Sequence, residues 1–209
     1  MTRRLPFLPT IVVAAAVATM IALGIWQLQR AAWKERLLAE YAAAANLPAL
    51  DLDPLLARGG EAPLPPLAFR RVLITCAAEN VVPDLRGGRS RAGQGGYAWR
   101  IPCRPGAEGL AGRILVNAGW SQLPGEERRI SLDGIVAGTL GPVEADRPII
   151  LTSATPVPPL APSAAPTVAD IPNNHRAYAF QWFFFAGVAI VIFLIALRQR
   201  QARRLPPEP

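Results

Sequence analysis

His175 is the only histidine among 209 residues, and the stretch around it reads NNHRAYAFQW, residues 173–182. Imidazole is the side chain best suited to carry a proton or ligate a metal near neutral pH. His175, Tyr178 and Trp182 fall at i, i+3 and i+7, one face of a helix. A second group of the same character lies near the other end of the chain. Trp26, Arg30 and Trp33 fall at i, i+4 and i+7, while Gln27, Arg30 and Lys34 gather polar groups beside them. A neutral imidazole can be an axial ligand of haem iron, flat aromatics can line the macrocycle, and an arginine can pair with propionates. The spacing permits such a site between two helices but does not by itself establish it. A plainer reading stays open. Trp and Tyr gather at membrane interfaces without any ligand, and Asn173 or Asn174 is a sufficient helix N-cap.

Other chemistries lack their residues. A hydrolytic triad needs a base beside its nucleophile, and the lone histidine is accompanied by no GxSxG motif. The carboxylates are scattered, so no acid/base pair can be named. Cys76 and Cys103 form no CxxC, and one histidine with two separated cysteines does not make a zinc site. LRGGRSRAGQGG, residues 85–96, is rich in glycine and arginine, but a phosphate loop needs a strand before it and a helix after it. The next residues, YAWRIPC, are strand-like, so the glycine-rich segment is expected to be a polar hairpin loop. The chain is therefore not expected to be an enzyme.

The elements that must position His175 and Gln27 are two long uncharged stretches, Leu5–Gln29 and Ala177–Leu197. Each is long enough for a helix to cross a hydrocarbon core roughly 30 Å thick. The expected organisation is a cytoplasmic tail 1–8, a transmembrane helix 9–29, an extracytoplasmic domain 30–176, a second transmembrane helix 177–197 and a cytoplasmic tail 198–209. The formal net charge is +7. Most of it sits in the tails: Arg3 and Arg4 before the first span, and Arg198, Arg200, Arg203 and Arg204, with Glu208, after the second. Basic residues beside spans mark the cytoplasmic side, so the charge speaks for a bilayer and against nucleic acid. The first apolar stretch exceeds a signal-peptide core and runs into helical WQLQRAAWKERLLAEY, which predicts an uncleaved anchor.

Within 30–176 the helix is expected to continue over 30–45, stopping at Asn46 and Pro48. Phe69–Ala77, Arg113–Asn117, Ile130–Leu140 and Arg147–Leu151 read as strands. Together they predict an antiparallel sheet over 68–151, followed by a Pro-rich linker, 152–170. The fold class is thus a membrane α+β protein, two transmembrane helices flanking an antiparallel β-rich domain. Cys76 and Cys103 fall in strands that can be neighbours. An oxidising compartment permits a disulfide, and two buried small side chains is the blander reading.

Three patches resemble the Surfeit locus protein 1 family of cytochrome c oxidase assembly factors, in particular its bacterial members. LGIWQLQRAAWK, residues 23–34, is similar to the family's opening signature through Gly24, Trp26, Gln27, Arg30 and Lys34. ILVNAGW, residues 114–120, is similar to its central strand through Asn117, Gly119 and Trp120. IPNNHRAYAFQWF is similar to its closing segment through Asn173, Asn174, His175, Tyr178, Gln181 and Trp182. The chain departs at Ala118, where an arginine is common, and at SQLP after Trp120.

The resemblance implies help in maturing haem–copper cytochrome c oxidase, around insertion of haem a into the largest subunit. His175 would be the axial ligand of the haem iron, Tyr178 and Trp182 would pack the ring, and Arg30 would hold a propionate. Trp26 and Gln27 complete the cofactor-binding set. The implied partners are that largest subunit and haem A synthase, and the implied location is a bacterial inner membrane with the main domain periplasmic. The alternative is a membrane-anchored scaffold that stabilises an oxidase assembly intermediate without binding haem.

Overall fold

The first helix, α1, spans Phe7–Ala45 and ends beside Asn46 and Pro48. At 1.5 Å per residue its 39 residues extend about 58 Å, nearly twice a hydrocarbon core. The computed structural model describes residues 7–58, 65–124, 128–144 and 147–202; Arg3, Arg4, Arg203, Arg204 and Glu208 lie outside them. After α1 come β1 (Leu50–Asp51), α2 (Asp53–Ala57), β2 (Arg71–Val81), β3 (Asp84–Arg89), β4 (Gly95–Pro102), α3 (Gly109–Gly112), β5 (Ile114–Ser121), β6 (Ile130–Leu140) and β7 (Ile149–Ser153). A 3-10 turn at Val168–Asp170 precedes α4, His175–Ala202. The chain forms two units, a helical one from its two ends, Met1–Leu37 with Pro172–Pro209, and a sheet unit, Leu38–Ile171.

In the helical unit α1 and α4 pair antiparallel. Gly24 meets the Phe183 ring, Gln27 meets His175, and Lys34 Nζ donates to the Pro172 carbonyl at 2.6 Å. The covered positions on α1 include 13, 17, 20, 24, 27, 31 and 34, a 3.5-residue repeat that keeps one seam facing its partner. Gly24 and Ala31 on α1 and Ala179 and Ala186 on α4 are buried, and such small side chains let helix backbones approach closely. The opposite faces expose Phe180, Phe184, Val191 and Ile192. Both helices are long and apolar enough to cross a membrane, and outward apolar faces are what lipid requires. At the end nearest Lys34, Arg176 and Glu35 form an ion pair at 2.9 Å.

Among the described residues the sheet unit holds seven strands in the order β1-β2-β6-β7-β5-β4-β3. Most neighbours are antiparallel, but β1 lies parallel to β2, and β5 parallel to β7, so the sheet is mixed. β2 alternates strictly, with Val72, Ile74, Cys76 and Ala78 inward, the period-two pattern of a half-buried strand. Ile101, Ile114, Val116, Leu140, Ile149 and Leu151 join them in one core. Each fully buried aliphatic chain contributes about 1.5–3 kcal/mol of transfer free energy. The sheet curls far enough for β2 to meet the end of β4: the Ala77 N–H donates to the Cys103 carbonyl at 2.9 Å.

That junction is tied covalently. Cys76 and Cys103 form a disulfide, with Cα atoms 4.7 Å apart. Both are fully buried, so the blander sequence reading holds for their burial but not for their chemistry. Beside it, Asp53 accepts from the Thr75 backbone N–H and hydroxyl and pairs with Arg104, whose Nε donates to the Thr75 carbonyl. Burial raises the Asp53 pKa, but the Thr75 hydrogen bonds and Arg104 outweigh it and hold the carboxyl below its usual 3.8.

Two segments differ from their sequence reading. Residues 85–89 of the expected polar loop pair with β4 as an edge strand, leaving only a short turn around Gly93. Gly88 makes this possible, because a Cβ there would sit 2.8 Å from the Ala98 Cβ. The Pro-rich stretch is likewise no free linker. Residues 157–164 pair by main-chain bonds with the end of β5 and the turn after β3 as a strap, bridging Trp120 to Ala161 and Ser90 to Ser163.

Candidate functional site

α4 begins at His175, and the Tyr178 N–H donates to the Asn174 carbonyl, which makes Asn174 the N-cap by its main chain. Neither asparagine side chain supplies a cap bond among the described residues, and the Asn173 Oδ1 is buried with no hydrogen-bond partner. Side-chain capping is therefore not what His175's neighbours provide.

His175 Nδ1 lies 2.7 Å from Gln27 Oε1, across the α1–α4 seam. An amide oxygen accepts, so in this arrangement Nδ1 carries a proton, and in the neutral ring Nε2 is then the atom with the lone pair. Histidines that ligate metals usually hand their other ring N–H to an acceptor in this way, which fixes tautomer and ring orientation. The side chain is part-buried, held but not sealed. Gln27 thus acts on the imidazole directly.

The other candidates make no side-chain hydrogen bond or ion pair with this pair among the described residues. Tyr178 and Trp26 are each 52 % exposed, leaving aromatic surface uncovered, and Trp182 is half-buried. The Arg30 guanidinium is exposed and stacks over the Trp33 ring, 4.0 Å from its centroid. It makes no ion pair among the described residues. The structure therefore joins His175 to Gln27 and Arg30 to Trp33. Sequence reasoning missed two contacts that brace this end of the helix pair, Arg176 with Glu35 and Lys34 with Pro172. Their signal was a charge pattern readable only once the antiparallel register is known.

The central NAGW patch has a separate task. Asn117 is buried, and its Oδ1 accepts from the Gly119 N–H at 3.3 Å and the Ser163 hydroxyl at 3.1 Å. Gly119 has φ +153°, and a Cβ there would lie 2.5 Å from the Leu160 Cβ. Trp120 exchanges both main-chain hydrogen bonds with Ala161, at 2.8 and 2.9 Å. The Ala118 carbonyl accepts from the Val157 N–H at 2.8 Å, so all four patch residues meet the strap, whose chain runs on to Pro172 and His175.

An oriented imidazole, uncovered aromatic faces and a guanidinium outside any ion pair among the described residues are residue types that could hold a haem. Among the described residues no cluster of three or more His, Cys, Asp or Glu side chains can hold a bare metal ion. A family model described as the SURF1 family matches residues 14–187 of the chain. No curated protein matches it significantly.

Proposed function

Because the chain belongs to the SURF1 family, known generally as cytochrome oxidase assembly factors, we propose that it holds haem a for insertion into the largest oxidase subunit. Assembly rather than catalysis is the family's general role. The observation that carries the haem reading is the Gln27–His175 hydrogen bond, which leaves Nε2 as the open donor. His175 would hold the iron, and Gln27 would keep the ring in the ligating tautomer. Tyr178, Trp182 and Trp26 offer flat apolar surface, and Arg30 offers a cation for a propionate. Haem a supplies the redox-active iron that the mature oxidase requires.

Both termini are assigned to the cytoplasm and the sheet unit to the periplasmic side of a bacterial inner membrane. Arg198 and Arg200 after the second apolar segment support this orientation. So does the Cys76–Cys103 disulfide, a bond that persists in oxidising compartments. Haem A synthase is the partner that would supply the cofactor.

The test is expression in haem-replete membranes, followed by a spectrum of the purified chain. Wild type is expected to carry bound haem a, and His175→Ala to lose it. A haem-free wild type whose deletion still lowers mature oxidase would leave only the scaffolding role.

A further inference from the structure

The strap does not lie flush on the sheet. It is pinned where the Val157 N–H donates to Ala118, at the Trp120–Ala161 pair, and where the Ala164 N–H donates to the Arg89 carbonyl. Beyond the last of these points, under residues 164–170, the chain roofs a cavity of about 500 Å³ on the outer face of β3, β4, β5 and β7. Arg100, Asn117 and Thr152 give this cavity its polar wall, and Ala98, Ile150 and Ala165 an apolar one.

Arg100 is the unusual member. Its Nε is buried without a hydrogen-bond partner, and the guanidinium makes no hydrogen bond or ion pair among the described residues. Asp84 stands opposite it across the β3–β4 ladder, but Asp84 is held by Arg86 at 2.9 Å. Burial pulls the Arg100 pKa down, with Asp84 raising it and Arg86 lowering it. The side chain is half-buried, and its buried Nε–H is a donor left unmet, which a bound acceptor would satisfy. A guanidinium fork with open donors matches a planar, two-oxygen acceptor.

The local charges narrow that acceptor further. Arg86, Arg89 and Arg100 are offset by Asp84 and Asp170, which leaves a single positive charge in excess. Asp170 makes no ion pair with Arg100; its Oδ2 accepts from the Thr167 N–H at 2.9 Å and hydroxyl at 2.7 Å. One excess charge suits a monoanion and not a phosphate dianion.

We propose that this cavity binds a compact monocarboxylate, its oxygens on the Arg100 guanidinium and its apolar body against Ala98, Ile150 and the strap. The chemistry is the same for a small organic acid and for the terminal carboxylate of a peptide. It stands apart from the haem reading, which concerns the helical unit.

The full chain in lipid nanodiscs is titrated with 4-phenylbutyrate, with acetyl-Ala-Ala-Phe bearing a free carboxylate, and with 4-phenylbutanamide, monitored by ligand-observed NMR. The carboxylates are expected to bind and the amide not; the tighter of the two carboxylates identifies the source. Arg100→Gln should weaken binding about ten-fold or more, as loss of a charged hydrogen bond implies. It should also leave the probe-free thermal midpoint unchanged or raise it, because no native partner is lost. Equal binding of amide and carboxylate overturns the proposal, as does no binding at millimolar probe. So does tighter binding of phenyl phosphate, or a lowered midpoint in Arg100→Gln, which would make the guanidinium structural.

Discussion

Replacing both cysteines, Cys76→Ala with Cys103→Ala, removes the covalent tie that closes the curled sheet. The two residues are 27 apart in sequence. Closing a loop of that length removes about 3.5 kcal/mol of unfolded-chain entropy at 25 °C in the chain-entropy relation. For a unit of this size each kcal/mol moves the thermal midpoint by roughly 3 °C, so the variant should melt about 10 °C lower. The two missing sulfur atoms come from fully buried positions, and the small packing loss acts in the same direction. The assay is a calorimetric or near-ultraviolet melt of the full chain, with thiols counted in denaturant before reduction. A midpoint drop under about 3 °C, equivalent to 1 kcal/mol, would refute the closure argument. So would two titratable thiols in the unreduced wild type.

Other contacts carry outcomes of their own. Asp53→Asn should lower stability at neutral pH, because it removes the carboxylate bonded to Thr75 and Arg104. The folded-state pKa is lowered, so that contribution is complete above the usual 3.8 and fades as pH falls through the lower folded value. Melts of both forms should therefore converge in strong acid and differ at neutral pH. Gly119→Ala forces a side chain into a left-handed backbone 2.5 Å from Leu160. It should destabilise by roughly 1–3 kcal/mol and open the strap to proteolysis near residue 160. Asn117→Ala strands the Gly119 N–H and Ser163 hydroxyl, about 1–3 kcal/mol by denaturant titration.

The parts of the fold that were legible in sequence are those encoded locally. Two charge-free stretches give two long apolar helices, and β-branched runs such as Ile130–Leu140 give strands. What escaped depends on partners distant in sequence. The parallel pairing of β5 with β7 joins residues more than thirty positions apart, and nothing in ILVN or IILT announces it. Gly87 and Gly88 argued for a loop, yet the small size of Gly88 is what admits an edge strand beside Ala98. The prolines of 156–167 suggested a free linker, because composition does not reveal that Ala118, Asn117 and Trp120 offer bonds to it. At the site, helical spacing grouped His175 with Tyr178 and Trp182, and Gln27 with Arg30. That Gln27 reaches His175 itself is a property of the antiparallel register, which a single helix cannot encode.

The sharpest measurement is the haem a dissociation constant of Gln27→Ala beside wild type and His175→Ala. If the α1 amide orients the α4 imidazole for ligation, Gln27→Ala should weaken binding by about ten- to hundred-fold, with His175→Ala weaker still. Wild-type affinity in Gln27→Ala, or haem retained without His175, would contradict the account.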